Sequence, residues 1–138
     1  MAAQPQVQVI ARLPGLFWCS CNHCQDMPSD DERLCCGFGV NDCLSRHPTL
    51  ENIVDPVALG LQRALWQELM VVEAHADEPG AHNRQCRHTA YRCYVLWQHG
   101  RLGAGNRRVI PSCVVTRIRQ LFPSPNGHYT GYRPGRFV

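Results

Sequence analysis

The segment Trp18-Cys19-Ser20-Cys21-Asn22-His23-Cys24 opens a short region that continues with Cys35 and Cys36 and ends at Cys43. This region contains six of the nine cysteines in a chain of 138 residues. The first residues of the chain lack the basic start and apolar run of a secretory signal, so we expect the thiols to be in a reducing compartment. Clustered cysteines in such a compartment bind metal more often than they form disulfides. The region therefore predicts a metal site.

The number of sulfurs indicates two metal ions that share a ligand. A structural zinc ion takes four ligands in a tetrahedron, with sulfur among the preferred donors. Six sulfurs are too many for one ion and too few for two separate ions, whereas seven sulfurs with one shared complete two tetrahedra. The seventh ligand is sought among Cys86, Cys93 and Cys113, and Cys113 is preferred because the dipole at a helix start stabilises a thiolate. His23 is interpreted as a neighbour of the site.

The predicted fold is a small α-rich zinc-binding domain, with about three helices, an irregular cysteine-rich N-terminal lobe and few or no strands. A chain of this length forms one domain with a modest core, and a structural metal commonly supports such a core. We assign residues 1–12 to a flexible N-terminus and residues 13–138 to a single zinc-binding domain.

Start signals and apolar spacing predict the helices. Asp55-Pro56 is a typical helix start, with aspartate as N-cap and proline in the first position, and the helix is expected to reach about Glu73. A second helix is expected over 83–99 and a third over 113–122, with Ser112 as its N-cap. Apolar residues at four-residue spacing predict the buried face of the first of these helices: Val57, Leu61, Leu65 and Leu69.

Charge divides the chain into two parts. All eleven acidic residues precede residue 80, whereas ten of the fourteen arginines follow it, and the sequence has no lysine. A planar guanidinium group is suited to phosphate and carboxylate partners. The C-terminal part is therefore either a solvated basic face or a surface that neutralises an anion, which would be a phosphate ligand, a nucleic acid or the thiolate cluster itself.

Several further motifs, in the same order along the chain, carry a resemblance to a known family. They are Arg87-His88-x-Ala90-Tyr91-Arg92-Cys93-Tyr94, Ile110-Pro111-Ser112-Cys113, Arg117-Ile118-Arg119-x-x-Phe122-Pro123 and Tyr129-Thr130-Gly131-Tyr132. Together with the spaced cysteines, they resemble the cytoplasmic C-terminal "ballast" domain of the P2X purinoceptor, subtype seven. The resemblance covers roughly residues 16–132, nearly the whole chain. The chain is similar to free-standing members of this family, which have no channel portion.

The resemblance implies a dinuclear zinc centre and a guanine-nucleotide site. The nucleotide, GDP or GTP, would bind beside Arg87, His88 and Tyr91, with the backbone of Arg108 and Ile110 facing the base. The zinc ligands implied by the family are all cysteine here: Cys19, Cys21, Cys24, Cys35, Cys36, Cys43 and Cys113.

Two positions depart from the receptor pattern. Val115 and Ser124 stand where the receptor has an arginine and a lysine that would meet phosphates. Each such charge-assisted contact contributes about 1.5–3 kcal/mol, so their loss weakens phosphate binding unless other cations replace them. The candidates for replacement are Arg84, Arg107, Arg108 and Arg117.

The sequence favours an intracellular zinc-binding module that acts through protein contacts, in the cytoplasm or alternatively in the nucleus. No membrane span is expected, because polar residues interrupt the most apolar segment, 54–72. An enzyme using Cys93 or a zinc-bound water is disfavoured, since no Walker-type loop or paired catalytic carboxylates are recognisable. The main alternative is an arginine-rich zinc protein that binds nucleic acid, although no base-reading motif is visible.

Overall fold

The computed structural model describes residues 16–70, 80–103 and 106–133. In this part of the chain there are four α-helices and no strand, which confirms the predicted α-rich class. The predicted flexible segment 1–12 and the predicted helix end at Glu73 lie outside it. The helices are α1 (Pro48–Ile53), α2 (Pro56–Met70), α3 (Ala81–His99) and α4 (Ser112–Leu121). None of the described helices is both long and apolar enough to cross a membrane.

The N-terminal lobe is irregular, as the sequence predicts. Residues 16–39 contain turns and no helix, and two 3-10 turns follow at Val40–Asp42 and Leu44–Arg46. Asn22 has a φ of 63°, in the left-handed region that few residues other than glycine, asparagine and aspartate adopt readily. This conformation bends the chain between Cys21 and Cys24, so that two successive cysteines of the motif face the same centre.

The segment after the lobe is more helical than expected. The helix start signals described above predict no helix before Asp55, whereas the structure has the short helix α1, with Pro48 at its first position. The capping side chain is His47, whose Nδ1 accepts a hydrogen bond from the Thr49 amide at 3.0 Å. The His47 ring also packs against Trp97 of α3, with 4.9 Å between ring centroids. The cap therefore fixes α1 against α3.

Helix α2 begins as predicted but buries a different face. Asp55 caps it by accepting a hydrogen bond from the Ala58 amide at 3.0 Å. The predicted apolar face is wrong, because its described members are largely exposed: Val57 (81%), Leu61 (61%) and Leu65 (45%). The side that meets α3 contains the buried Leu59 and, one turn later, Arg63, which hydrogen-bonds to His82 and Gln85. Spacing identified an amphipathic helix but could not tell which stripe α3 covers.

Helix α3 runs through the centre of the domain. It begins two residues earlier than predicted, after Gly80, which has a φ of 77° and lies so close to Pro125 that a Cβ would be 2.7 Å from the proline ring. Its inward face contains Ala90 and Tyr94, both almost fully buried. These residues belong to the same core cluster as side chains of the lobe and of the other helices: Cys21, Leu50, Leu59, Val114 and Ile118.

Helix α4 is attached to the lobe at its first residue. The predicted capping role of Ser112 is not observed, since the residue before the helix is Pro111 and no side chain caps it. Instead, the buried Ser112 hydroxyl accepts a hydrogen bond from the Gln25 amide at 3.0 Å and donates one to the Gln25 carbonyl at 2.5 Å. The Ser112 amide donates to the Leu34 carbonyl at 2.7 Å. These bonds place the start of α4 between the two cysteine-bearing segments of the lobe.

The contact at Ser112 gives the first testable prediction. Ser112→Ala removes both hydrogen bonds between the buried Ser112 hydroxyl and the Gln25 backbone. Each such bond contributes about 0.5–1.5 kcal/mol, so the free energy of unfolding should fall by about 1–3 kcal/mol. Urea denaturation measures this change. Ser124→Ala, which removes a hydroxyl bonded to Asn126 in an exposed turn, is the control and should change stability by less than about 0.5 kcal/mol. Equal effects of the two substitutions would contradict the role assigned to Ser112.

Candidate metal centre and arginine-lined groove

Four sulfurs of the lobe form the first cluster. The Sγ atoms of Cys19, Cys21, Cys24 and Cys35 all lie within 4.8 Å of one another. Cys21 is 3.8 Å from Cys19 and 3.8 Å from Cys24. The first three cysteines are buried and Cys35 is half-buried. The arrangement presents four soft ligands around one point and can hold a metal ion.

A second cluster uses sulfurs from three parts of the chain. The Sγ atoms of Cys21, Cys36, Cys43 and Cys113 also lie within 4.8 Å of one another, with Cys36 3.8 Å from Cys43. Cys21 belongs to both clusters, so seven sulfurs form two sets of four. The structure thus brings together all seven cysteines that the sequence suggested, and Cys113 reaches the lobe from the first turn of α4.

The distances between the sulfurs match those around a tetrahedrally coordinated zinc ion. Zinc–sulfur bonds are about 2.3 Å long, so the sulfurs at the corners of a regular ZnS₄ tetrahedron are about 3.8 Å apart. The three sulfur pairs given above have this separation. Hard cations such as calcium and magnesium prefer oxygen ligands. The donor set and the spacing therefore fit a tetrahedral, sulfur-binding ion.

Hydrogen-bond donors in the lobe point at the sulfurs. The amides of Ser20 and Gly37 lie 3.4 and 3.5 Å from the Cys35 Sγ, and the Ser20 hydroxyl lies 3.6 Å from it. Although burial raises the pKa of Cys35, these donors outweigh it and lower the pKa to about 5. The amide of His23 donates to the Cys21 Sγ at 3.4 Å. Backbone amides thus stabilise thiolates at the first cluster.

Cys21 and Cys113 have the opposite tendency. Burial is the main cause that raises the pKa of Cys21, and the charge of Cys113 adds to it. A hydrogen bond with Cys24, followed by burial, raises the pKa of Cys113. Closely packed thiolates repel one another. The positive charge of a metal ion would offset this repulsion, so that a coordinating thiol loses its proton. Cys21 and Cys113 are therefore the residues whose thiolate forms depend most on a nearby cation.

The other candidate ligands lie elsewhere. The His23 ring is 3.3 Å from the Val40 carbonyl and belongs to neither cluster. Cys86 is buried beside His82, with 3.7 Å between its sulfur and the ring nitrogen. Cys93 is half-buried on α3, and burial raises the pKa of its thiol. None of these three residues shares a cluster with the seven sulfurs.

A large groove lies along α3 and α4. It has a volume of about 970 Å³, and His88, Tyr91, Arg108 and Ile110 all line it. Four of the five residues suggested for a nucleotide therefore share one cavity. The groove is strongly basic, since further guanidinium groups also line it: Arg92, Arg107, Arg119 and Arg133.

Arg87, the fifth residue suggested for a nucleotide, does not line the large groove. It lines a separate small pocket of about 240 Å³, into which His88 and Tyr91 also face. Its side chain is buried, and its Nη1 donates to the Phe122 carbonyl at 2.8 Å. Its guanidinium also lies 5.1 Å from the centre of the Tyr129 ring. Arg87 thus ties α3 to the segment that follows α4.

The two departures from the receptor pattern are found one in each cavity. Val115 lines the large groove and Ser124 lines the small pocket. Arg119, one helical turn after Val115, also lines the large groove, and its guanidinium is 4.5 Å from the Tyr129 ring. Sequence reasoning missed Arg119, although its four-residue spacing from Val115 on a helix placed both residues on one side.

The four replacement candidates have different surroundings. Arg107 and Arg108 line the large groove and Arg84 lines the small pocket. Arg117 instead forms an ion pair with Glu51 at 2.7 Å. Three of the four can therefore reach an anion in these cavities.

His88 lines both cavities and lies in a positive environment. Partial burial and the charges of Arg87, Arg84 and Arg92 lower its pKa below the usual value for histidine. At neutral pH the ring is therefore uncharged, and it offers one donor and one acceptor nitrogen. Its contribution to the groove is hydrogen bonding and stacking, while the arginines supply the charge.

The arrangement defines a class: a small helical domain whose irregular lobe carries two clusters of cysteine sulfurs, the second of which includes a cysteine of the last helix. Comparison with known proteins identifies the particular family. The family model for the P2X purinoreceptor 7 intracellular domain matches residues 3–133, and the chain belongs to this family.

Two curated relatives show the same relationship. The chain is 31% identical over 124 residues to P2X purinoceptor 7 of Mus musculus, and 30% identical over 122 residues to that of Rattus norvegicus. Each match covers 84% of this chain but 20% of the relative. The chain thus spans about a fifth of the length of the curated relatives it matches.

The position of Arg87 leads to the second prediction. Arg87→Gln removes the bond to the Phe122 carbonyl and the contact with Tyr129, and should lower the free energy of unfolding by about 1.5–3 kcal/mol. Denaturation with urea in the absence of nucleotide measures the loss. Arg101→Gln, at an exposed position outside both cavities, is the control and should leave stability nearly unchanged. A variant at Arg87 as stable as the control would show that Arg87 is not structural.

Proposed function

We propose that this chain is an intracellular zinc-binding module that holds two zinc ions in its two cysteine clusters. Cys19, Cys24 and Cys35 would bind one ion, and Cys36, Cys43 and Cys113 the other. Cys21 would bridge them. The observation that carries the proposal is the arrangement of seven sulfurs in two groups of four, with the sulfur of Cys21 common to both groups.

Zinc suits this donor set better than other metals. Tetrahedral sites made of four thiolates are typical of zinc or iron–sulfur centres, and zinc needs no redox partner or additional sulfide. When bound, zinc supplies charge that neutralises the thiolates and ligand bonds that stabilise the fold. Since four sulfurs complete a tetrahedron, neither cluster leaves a position for a catalytic water. This supports a structural role for the metal.

The cysteine clusters would supply much of the folding free energy of the lobe. Residues 16–39 have no helix to stabilise them, and metal binding in such lobes is coupled to folding. Cys113 belongs to α4, so the second ion would connect the lobe with the helical part of the domain. The metal would then act as a clasp between distant parts of the sequence.

The third prediction tests this assignment. Protein purified without added metal should contain about two zinc ions per chain by elemental mass spectrometry. Cys36→Ser should lose at least one of them and melt at a much lower temperature, because one tetrahedron is incomplete. Cys93→Ser, which changes a cysteine outside both clusters, should retain both ions. Unchanged metal content and melting temperature in Cys36→Ser would contradict the ligand assignment, and iron in place of zinc would contradict the metal.

The groove along α3 and α4 is proposed to bind a guanine nucleotide, GDP or GTP. Its volume of about 970 Å³ is at the upper end of the range for small-molecule sites. His88 and Tyr91 offer rings and hydrogen bonds, and Arg107, Arg108 and Arg119 offer guanidinium groups for phosphates. The module would also act through protein contacts in the cytoplasm. The metal clusters would keep the interacting surface rigid.

Catalysis is not proposed for this chain. A nucleophilic cysteine needs a thiolate and an adjacent base, whereas burial raises the pKa of Cys93. The sulfurs with donors around them belong to the metal clusters.

A nucleic acid is the alternative ligand for the basic groove. Exposed arginines at its rim favour it, since Arg107 and Arg108 are accessible to a phosphate backbone as well as to a nucleotide. The two ligands differ in salt dependence: a strand that contacts several phosphates loses affinity steeply with salt, whereas a single nucleotide does so much less.

The fourth prediction concerns the groove. GDP at about 100 times its Kd should raise the stability of the zinc-loaded protein by about 2.7 kcal/mol, which scanning fluorimetry detects as a rise in Tm of several degrees. Arg108→Gln should weaken GDP binding about tenfold or more through loss of a charge-assisted bond. Arg101→Gln, outside the groove, should bind GDP normally. If about 1 mM GDP produces no shift in zinc-loaded protein, the nucleotide proposal is wrong. Tighter and steeply salt-dependent binding of RNA would favour the alternative.

A further inference from the structure

A single carboxylate faces the basic groove. Among the described residues that line the groove, Glu32 is the only acidic one. It comes from the irregular lobe, whereas the arginines around it come from the C-terminal half of the chain. The arginines would suit an anionic ligand of any kind, so the position of one negative charge among them calls for a more specific explanation.

Glu32 is held firmly in place. The residue is 7% exposed. The Ser29 hydroxyl donates to Oε1 at 2.8 Å, and the Tyr132 amide donates to Oε2 at 3.3 Å. Gly131 lies so near that a Cβ there would be 2.9 Å from Oε2. A carboxylate accepts about four hydrogen bonds, so two acceptor sites remain beyond the two bonds formed within the described part of the chain.

The loop that carries Glu32 lies beside the segment carrying Ile110. The Leu34 amide donates to the Glu32 carbonyl at 2.8 Å, and the Leu34 carbonyl accepts from the Ser112 amide at 2.7 Å. Ser112 is two residues after Ile110, and Glu32 and Ile110 both line the groove. Glu32 therefore shares the groove with Ile110, one of the two residues whose backbone the family resemblance places against the base.

The surrounding charges restrict what Glu32 can bind. A cationic ligand is repelled by the arginines, and an anionic group is repelled by the carboxylate itself. A suitable ligand carries its negative charge at one end and offers neutral N–H donors at the other. Guanine has two adjacent donors on one edge, the ring N1–H and the 2-amino group, and both can bond to a carboxylate. Adenine has an acceptor, the unprotonated N1, on the corresponding edge.

We propose that Glu32 is the specificity-determining residue of the groove and that its carboxylate accepts hydrogen bonds from N1–H and the 2-amino group of guanine. This inference rests on the proposed nucleotide function and adds the reason for preferring guanine over other bases. A hydrogen bond between a neutral donor and a buried carboxylate is stronger than one between neutral groups. A base without these donors would leave the Glu32 carboxylate without hydrogen-bond partners. This costs more binding free energy than the loss of a small apolar contact, so the site would discriminate strongly against such a base.

The experiment is isothermal titration of the zinc-loaded protein with GDP, IDP and ADP. IDP has N1–H but no 2-amino group, so it isolates one of the two bonds. Wild-type protein should bind GDP about tenfold or more tightly than IDP, and bind ADP still more weakly. Glu32→Gln keeps the shape of the side chain and an acceptor oxygen, and should reduce the preference for GDP over ADP about tenfold or more. Its affinity for ADP should change little.

A matched control and a stability measurement separate base recognition from structural support. Asp31→Asn removes a neighbouring charge at an exposed position and should leave the preference for GDP unchanged. If Glu32→Gln weakens GDP and ADP equally and lowers Tm, the carboxylate only supports the segment at Tyr132 and the inference is wrong. If wild-type protein binds GDP and ADP equally well, the inference fails while the groove proposal stands. If none of the nucleotides binds, the proposed nucleotide function fails and the inference fails with it.

Discussion

The position of Cys21, within 4.8 Å of the other sulfurs of both clusters, is the constraint on which the rest of the structure depends. A lobe without helices has few backbone hydrogen bonds and little apolar area to hold it together. Placing five further sulfurs of the lobe around one buried thiol compensates for this only when a cation neutralises them. The amides directed at Cys35 and Cys21 prepare the backbone for that charge.

Helix α4 connects the candidate metal centre with the groove. Cys113 enters the second cluster from the first turn of α4, and Val115 and Arg119 line the groove from the same helix. The bonds from Ser112 to the lobe hold this turn in place. Loss of the metal would therefore release a wall of the groove as well as the lobe, which joins the two proposed sites in one folding unit.

The arginines of the C-terminal half have several distinct roles. Arg87 is buried and bonded to the Phe122 carbonyl, and Arg117 pairs with Glu51, so both support the fold. Others line the groove, where the lobe contributes Glu32 as the one acid among the described lining residues. Counting charges identified a basic half, but only the contacts distinguish a guanidinium that stabilises the fold from one that can meet a ligand.

The sequence by itself determined the helical class and the irregular lobe, because helix caps and closely spaced cysteines act over short distances. The number of cysteines predicted a shared sulfur, and the helix start favoured Cys113 as the seventh member of the set. Tertiary structure alone decided which face of α2 is buried, why Ser112 bonds to Gln25 and how Arg87 is separated from the groove. It also decided that Glu32 and Ile110 line the same groove. These contacts join residues far apart in the chain, and no local pattern records which surfaces will meet.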